Sequence, residues 1–168
     1  MKISEQGFNP NRYKVIIRTL IFIFYNDEIL LLKGAVDKKI WANLFNGIGG
    51  HVEPGEDINS AAQRELLEET GIKCDSLKQN GTIIIDLNNS EGILIHIFSG
   101  KVQSKNLISS KEGELHWIPI NQVNNFPLVE DLFEIIPMVM DPKINYISGF
   151  YQYDNEKLVM RFNNIICC

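Results

Sequence analysis

GHVEPGEDINSAAQRELLEETGI, residues 50–72, reads as a loop, a helix and a second loop, and its helix decides the fold. Asp57 stands where an N-cap belongs, Ile58 to Glu69 contains neither proline nor glycine, and Gly71 stands where a left-handed residue ends a helix. A helix of about three turns follows. At about 100° per residue, Glu65 and Glu69 project along nearly one line, which they share with Ile58, Ala61 and Ala62. The two carboxylates therefore point toward the protein.

An i,i+4 pair of like charges costs an isolated helix roughly 0.2–0.5 kcal/mol, and partial burial adds a desolvation cost to each charge. A divalent cation reverses the sign of that interaction. Hard carboxylate oxygens suit Mg²⁺ or Mn²⁺, whereas zinc prefers His and Cys. Taken without its surroundings, the acidic run reads more simply as a solvated helix face.

Its surroundings add a glycine cluster. Asn46-Gly47-Ile48-Gly49-Gly50 precedes the helix, and glycines there let backbone approach a ligand or take positive φ. The cluster is not a phosphate-binding loop of the Gly-Lys-Ser/Thr kind, because the helix start carries Glu56 and Asp57, which repel a bare phosphate. Phosphate is expected here only when bridged by metal.

The whole segment resembles the signature of the Nudix hydrolases, G-x5-E-x7-R-E-U-x-E-E-x-G-U with U a bulky aliphatic residue. Gly50, Glu56, Arg64-Glu65-Leu66, Glu68-Glu69 and Gly71-Ile72 meet every fixed position. The resemblance implies an α/β/α sandwich around a mixed sheet, with the signature holding divalent metal, Mg²⁺ with Mn²⁺ as an alternative, against a substrate diphosphate. It implies Glu65, Glu68 and Glu69 as the catalytic and metal-handling carboxylates, with the Gly49 carbonyl as a further ligand. Arg64 paired with Glu56 braces the helix, and Gly50 and Gly71 shape its flanking loops.

Within the family the pattern is closest to MutT-like enzymes that cleave oxidised purine nucleoside triphosphates. Those enzymes often take one further acid from outside the signature, and Glu91 is the candidate, although it serves equally as a turn residue in Asn88-Asn89-Ser90-Glu91-Gly92. In Trp41-Ala42-Asn43-Leu44-Phe45-Asn46-Gly47, the positions of Phe45 and Asn46 correspond to the purine pocket. Asn46 alternatively bonds its own backbone in a turn. Glu130 and Asp131 are candidate substrate-binding acids, and helix-capping carboxylates explain them just as well. Pro127 and Pro137 stand further apart than their counterparts in that family.

The function this implies is metal-dependent hydrolysis of a nucleoside triphosphate, such as 8-oxo-dGTP, to monophosphate and pyrophosphate. The alternatives are another nucleoside diphosphate derivative (ADP-ribose, a nucleotide sugar or a dinucleoside polyphosphate) and a nucleotide-sensing module without turnover. Sensing modules commonly lose a signature carboxylate, and none is lost here.

Composition sets the frame. The 168 residues, 45% hydrophobic and 22% charged, fit one soluble domain spanning 1–168. A net charge of −5 argues against binding a nucleic-acid polymer, which requires clustered Lys and Arg. Cys74, Cys167 and Cys168 form no paired framework, with Cys74 expected in the core and the terminal pair in a frayed tail. Met1 to Lys14 carries no secretory pattern, so cytoplasm is the expected location. The run Ile16–Tyr25 is too short to span a membrane and reads as a buried strand turning at Asn26-Asp27 into Ile29–Leu32. Monomer and homodimer both remain open.

Further strands are expected at Gly81–Asp86, Ile93–Phe98 and Leu115–Pro119, a second helix from Glu130-Asp131 to Met140 with Pro137 as a possible kink, and a hairpin around Asp154-Asn155. Strands, then a helix, then strands again give an α+β class.

Overall fold

The uninterrupted apolar run Leu20-Ile21-Phe22-Ile23 is buried on both of its faces, and that sets the layers of the molecule. The computed structural model describes residues 7, 9, 11–37, 39–88, 90–108, 112–155 and 157–166; the terminal cysteines lie outside this set. Leu20 and Phe22 join one core, with Ile29, Leu31, Ile83 and Ile97. Ile21 and Ile23 join another, with Leu30, Leu32 and Phe98. Side chains alternate across a strand, so a strand covered on both sides reads as continuous hydrophobicity rather than as alternation.

The strands are β1 (Lys14–Tyr25), β2 (Glu28–Gly34), β3 (Phe45–Asn46), β4 (Lys78–Asp86), β5 (Glu91–Lys101), β6 (Gly113–Pro119), β7 (Ile144–Asp154), β8 (Lys157–Phe162) and β9 (Ile165–Ile166). The sheet runs β3-β2-β1-β5-β4-β7-β8, with β6 also on β2. It is mixed: β1 lies parallel to β5, and β4 parallel to β7, while the remaining pairs are antiparallel. Helix α1 (Ile58–Thr70) covers one face through Ala62 and Leu66, and α2 (Leu132–Met140) the other through Leu132, Ile135 and Ile136. This is the expected α+β sandwich.

The local signals read from sequence act as expected at α1. The Asp57 carboxylate accepts from the Asn59 and Ser60 amides, and Gly71 ends the helix at φ 75°. These bonds, the Ser60 hydroxyl first, hold the Asp57 carboxyl below its ordinary range, so the cap's contribution is present above the unfolded carboxylate range and fades as pH falls through the folded one. Helix α2 begins at Leu132, one residue past the expected pair, and continues through Pro137 to Met140. Cys74 is a buried free thiol, as expected.

Leu66 is fully buried at the centre of the contact that seats α1. Leu66→Ala should lower the unfolding free energy by about 3 kcal/mol in urea titration, through lost transfer energy and a residual cavity. A loss below about 1 kcal/mol would mean that this contact does not hold the helix.

Candidate functional site

The site is built where the end of the glycine cluster meets the inward face of α1. Ile48 bridges to Ile21 and His51 to Arg18, so residues 48–51 run antiparallel beside β1. The Thr19 amide donates to the Gly50 carbonyl at 2.9 Å, and the Gly50 amide to the Thr19 hydroxyl at 3.3 Å. Gly49 has φ 144°, and a Cβ there would collide with the Thr19 carbonyl. A Cβ on Gly50 would stand 2.5 Å from Glu65 Oε1. Gly49 requires glycine because strand backbone lies directly against it at a positive φ, whereas Gly50 faces the end of the Glu65 side chain.

Glu65 and Glu69 face this backbone. Glu69 is buried, and its Oε2 accepts from the Gly49 amide at 3.4 Å. Glu68 is exposed beside them on the outer helix face. Arg64 binds Glu56 in a fork, Nε to Oε2 at 3.1 Å and Nη2 to Oε1 at 2.7 Å, while Nη2 also reaches the His51 carbonyl at 3.0 Å. Its Nη1 meets Glu65 at 2.9 Å and Glu68 at 3.3 Å. The Arg64 guanidinium, helped by the Glu53 amide, holds the Glu56 carboxyl below its usual range; Glu56 in turn is the main cause raising the Arg64 pKa. One guanidinium thus ties the incoming loop to the helix and offsets the carboxylate repulsion.

The donor set suits a hard divalent cation: carboxylate oxygens of Glu65, Glu68 and Glu69 gathered beside a glycine backbone. Among the described residues, no three acidic, His or Cys side chains converge closely enough to form a closed cage.

Glu65, Gly49 and Gly50 line one end of a cleft of about 720 Å³. Its floor is apolar. The rung Ile93–Ile85–Tyr151 crosses β5, β4 and β7, with Ile95 one step along. Asn46, Glu130 and Asp131 also line it. Asn46 Oδ1 accepts from the Gly47 amide at 2.8 Å, the turn bond that the sequence offered as the alternative to base recognition. Burial pushes the Asp131 carboxyl up to about 6. Because that value is raised, the group opposes folding increasingly as pH rises from the ordinary carboxylate range through 6. The Tyr151 hydroxyl is a close neighbour of Asp131 but makes no hydrogen bond of good geometry.

Two candidates stand apart from the cleft. Phe45 is buried, packed edge-on against His116 and Phe126 at 5.3 Å each. On a two-residue strand, alternation sends Phe45 to the core and Asn46 to the cleft. Glu91 is exposed at the start of β5 opposite Lys14, its amide donating to the Asn88 carbonyl, five rungs before the His96–Thr19 pair beside Gly50. Sequence reading missed Glu112, which lines the cleft just before β6. Only the long-range β2–β6 register, Gly34 opposite Gly113, brings it there.

A mixed sheet between two helices carries a carboxylate-bearing loop–helix–loop at the mouth of a cleft. The NUDIX domain model matches residues 16–139, most of the chain, and the protein belongs to the Nudix family. It is 27% identical over 146 residues to the oxidized purine nucleoside triphosphate hydrolase of Mus musculus, covering 86% of this chain and 91% of the relative. The fold is similar to that of the mutator MutT protein from Bacillus halodurans, with a TM-score of 0.75, 21% identity and coverage of 89% and 98%. It is also similar to the NUDIX domain of Shewanella oneidensis NrtR complexed with ADP ribose, with a TM-score of 0.66, 16% identity and coverage of 82% and 96%.

Gly50→Ala meets only the movable end of Glu65, whereas Gly49→Ala meets strand backbone at a positive φ. Gly50→Ala should keep its melting temperature and lose about a hundredfold in turnover, since roughly 1 Å of misplacement costs that much. Gly49→Ala should lose about 2–3 kcal/mol of stability. Melting curves beside turnover check both; equal behaviour of the two variants would refute this account of the glycines.

Proposed function

We propose that the protein hydrolyses a nucleoside triphosphate, oxidised purine forms such as 8-oxo-dGTP included, to the monophosphate and pyrophosphate with Mg²⁺. The observation that carries this is the cleft's polarity: carboxylates Glu65 and Glu69 stand at a glycine-lined end, and an apolar floor with Asn46 and Asp131 continues away from it. A polyphosphate suits the first end and a flat base the second. The name of the mouse relative supports the same substrate class.

The residues that would hold the metal are Glu65, Glu68 and Glu69, with the Gly49 carbonyl beside them and Glu91 a more distant candidate. Bound divalent metal supplies charge neutralisation on phosphoryl oxygens and activation of water. The chain's part is to orient. Glu69 is fixed beneath the Gly49 amide, Arg64 sets the helix against the loop, and the cleft floor excludes water from one side of the ligand. Asn46 donates to a base acceptor, and Asp131, with a pKa near 6, changes from donor to acceptor as pH rises past that value.

Cleavage of another diphosphate derivative is the second reading, supported by the ADP-ribose complex of the NrtR domain. A panel of dGTP, 8-oxo-dGTP, ADP-ribose and a dinucleoside polyphosphate, with and without Mg²⁺, separates the two. Triphosphates should turn over only with metal, and Glu69→Gln or Glu65→Gln should each lose at least about a hundredfold in kcat while remaining folded. A hundredfold preference for ADP-ribose would remove the triphosphate reading, and near wild-type turnover of either variant at saturating Mg²⁺ would remove the ligand assignment.

A further inference from the structure

We propose that Trp41 is the base-stacking wall of the cleft, a specificity-determining residue that takes the flat heteroaromatic part of a nucleotide on its indole face. The proposal rests on the nucleotide reading above and adds a residue to it. Trp41 lies on the β2–β3 loop and lines the cleft with 45% of its surface exposed. Its φ is 62°, in the left-handed region that bulky side chains avoid.

The surrounding backbone holds that conformation. The Trp41 carbonyl accepts from the Leu44 amide at 3.1 Å. The Asn43 amide donates to Gly34 and the Gly34 amide to Leu44, each at 3.0 Å. A Cβ on Gly34 would stand 2.5 Å from the Trp41 carbonyl oxygen. The loop is therefore pinned to the end of β2 in a shape that leaves a large apolar ring outside the core. A backbone outlier maintained by its surroundings points to function.

Of the other aromatic rings on this side, Tyr153 also lines the cleft, from β7 and 52% exposed, whereas Phe45, Tyr151 and Trp117 pack against other rings. Phe45 is buried against His116 and Phe126, and Tyr151 packs edge-on against Phe162 at 5.8 Å. Trp117 packs edge-on against Tyr25 at 6.1 Å and does not line the cleft. Trp41 offers a half-exposed, cleft-lining indole in a cleft that Ile93 and Ile95 also line. Stacking depends on the π-face alone, so it discriminates base-bearing ligands from bare phosphates without fixing which base is bound.

The chain has two tryptophans, so in Trp117→Phe the emission reports Trp41 alone. Titrating that variant, without metal, with dGMP, AMP, ribose 5-phosphate and pyrophosphate should give saturable quenching by the two purine nucleotides and none by the other two. In the otherwise native enzyme, Trp41→Ala should raise KM for its nucleotide substrate about tenfold with kcat within about twofold, and Trp41→Phe should restore most of the loss. Absence of quenching by both purine nucleotides, or a Trp41→Ala KM within twofold of wild type, would overturn the assignment. If the substrate panel finds no triphosphate turnover while purine nucleotides still quench Trp41, the triphosphate reading fails and this one stands.

Discussion

Backbone without side chains pressed against buried carboxylates is the constraint on which the rest of this structure depends. Gly49 and Gly50 run beside Thr19 on one side and meet Glu69 and Glu65 on the other. Strand β1 fixes the loop, the loop fixes the distance to α1, and α1 can approach so closely only because Ala61, Ala62 and Leu66 seat it in the core.

Arg64 reconciles this charge with folding. It binds Glu56 in a fork and touches Glu65 and Glu68, so one cation serves three carboxylates and a loop carbonyl. Glu56 takes two of the guanidinium nitrogens in the fork, while Glu65 and Glu68 share the third. The cleft extends the same polarity. Charge gathers where α1 meets the glycines, and apolar surface spreads over β5, β4 and β7, where the base would lie.

The parts legible in the sequence were those whose physics is local. Asp57 and Gly71 bound α1 through hydrogen bonds and backbone preferences a few residues wide, and the inward line of Glu65 and Glu69 followed from helical geometry. The apolar run from Ile16 to Tyr25 announced a buried strand. Nonlocal pairing was not legible. Nothing near Glu112 reveals that β6 pairs with β2 and brings it to the cleft. Phe45 and Asn46 are neighbours with opposite fates, decided by the facing of a two-residue strand. Trp41 carries no local signal either, because its exposure depends on a positive φ and on contact with Gly34.

The central claim is that the inward carboxylates of α1 hold a divalent cation, and it is tested most directly by Mn²⁺ binding followed through the EPR signal of free Mn²⁺. Wild-type protein should withdraw Mn²⁺ from that signal, and the combined Glu65→Gln, Glu69→Gln variant should bind at least about tenfold more weakly with its melting temperature little changed. Unchanged Mn²⁺ binding by the folded double variant would contradict the claim.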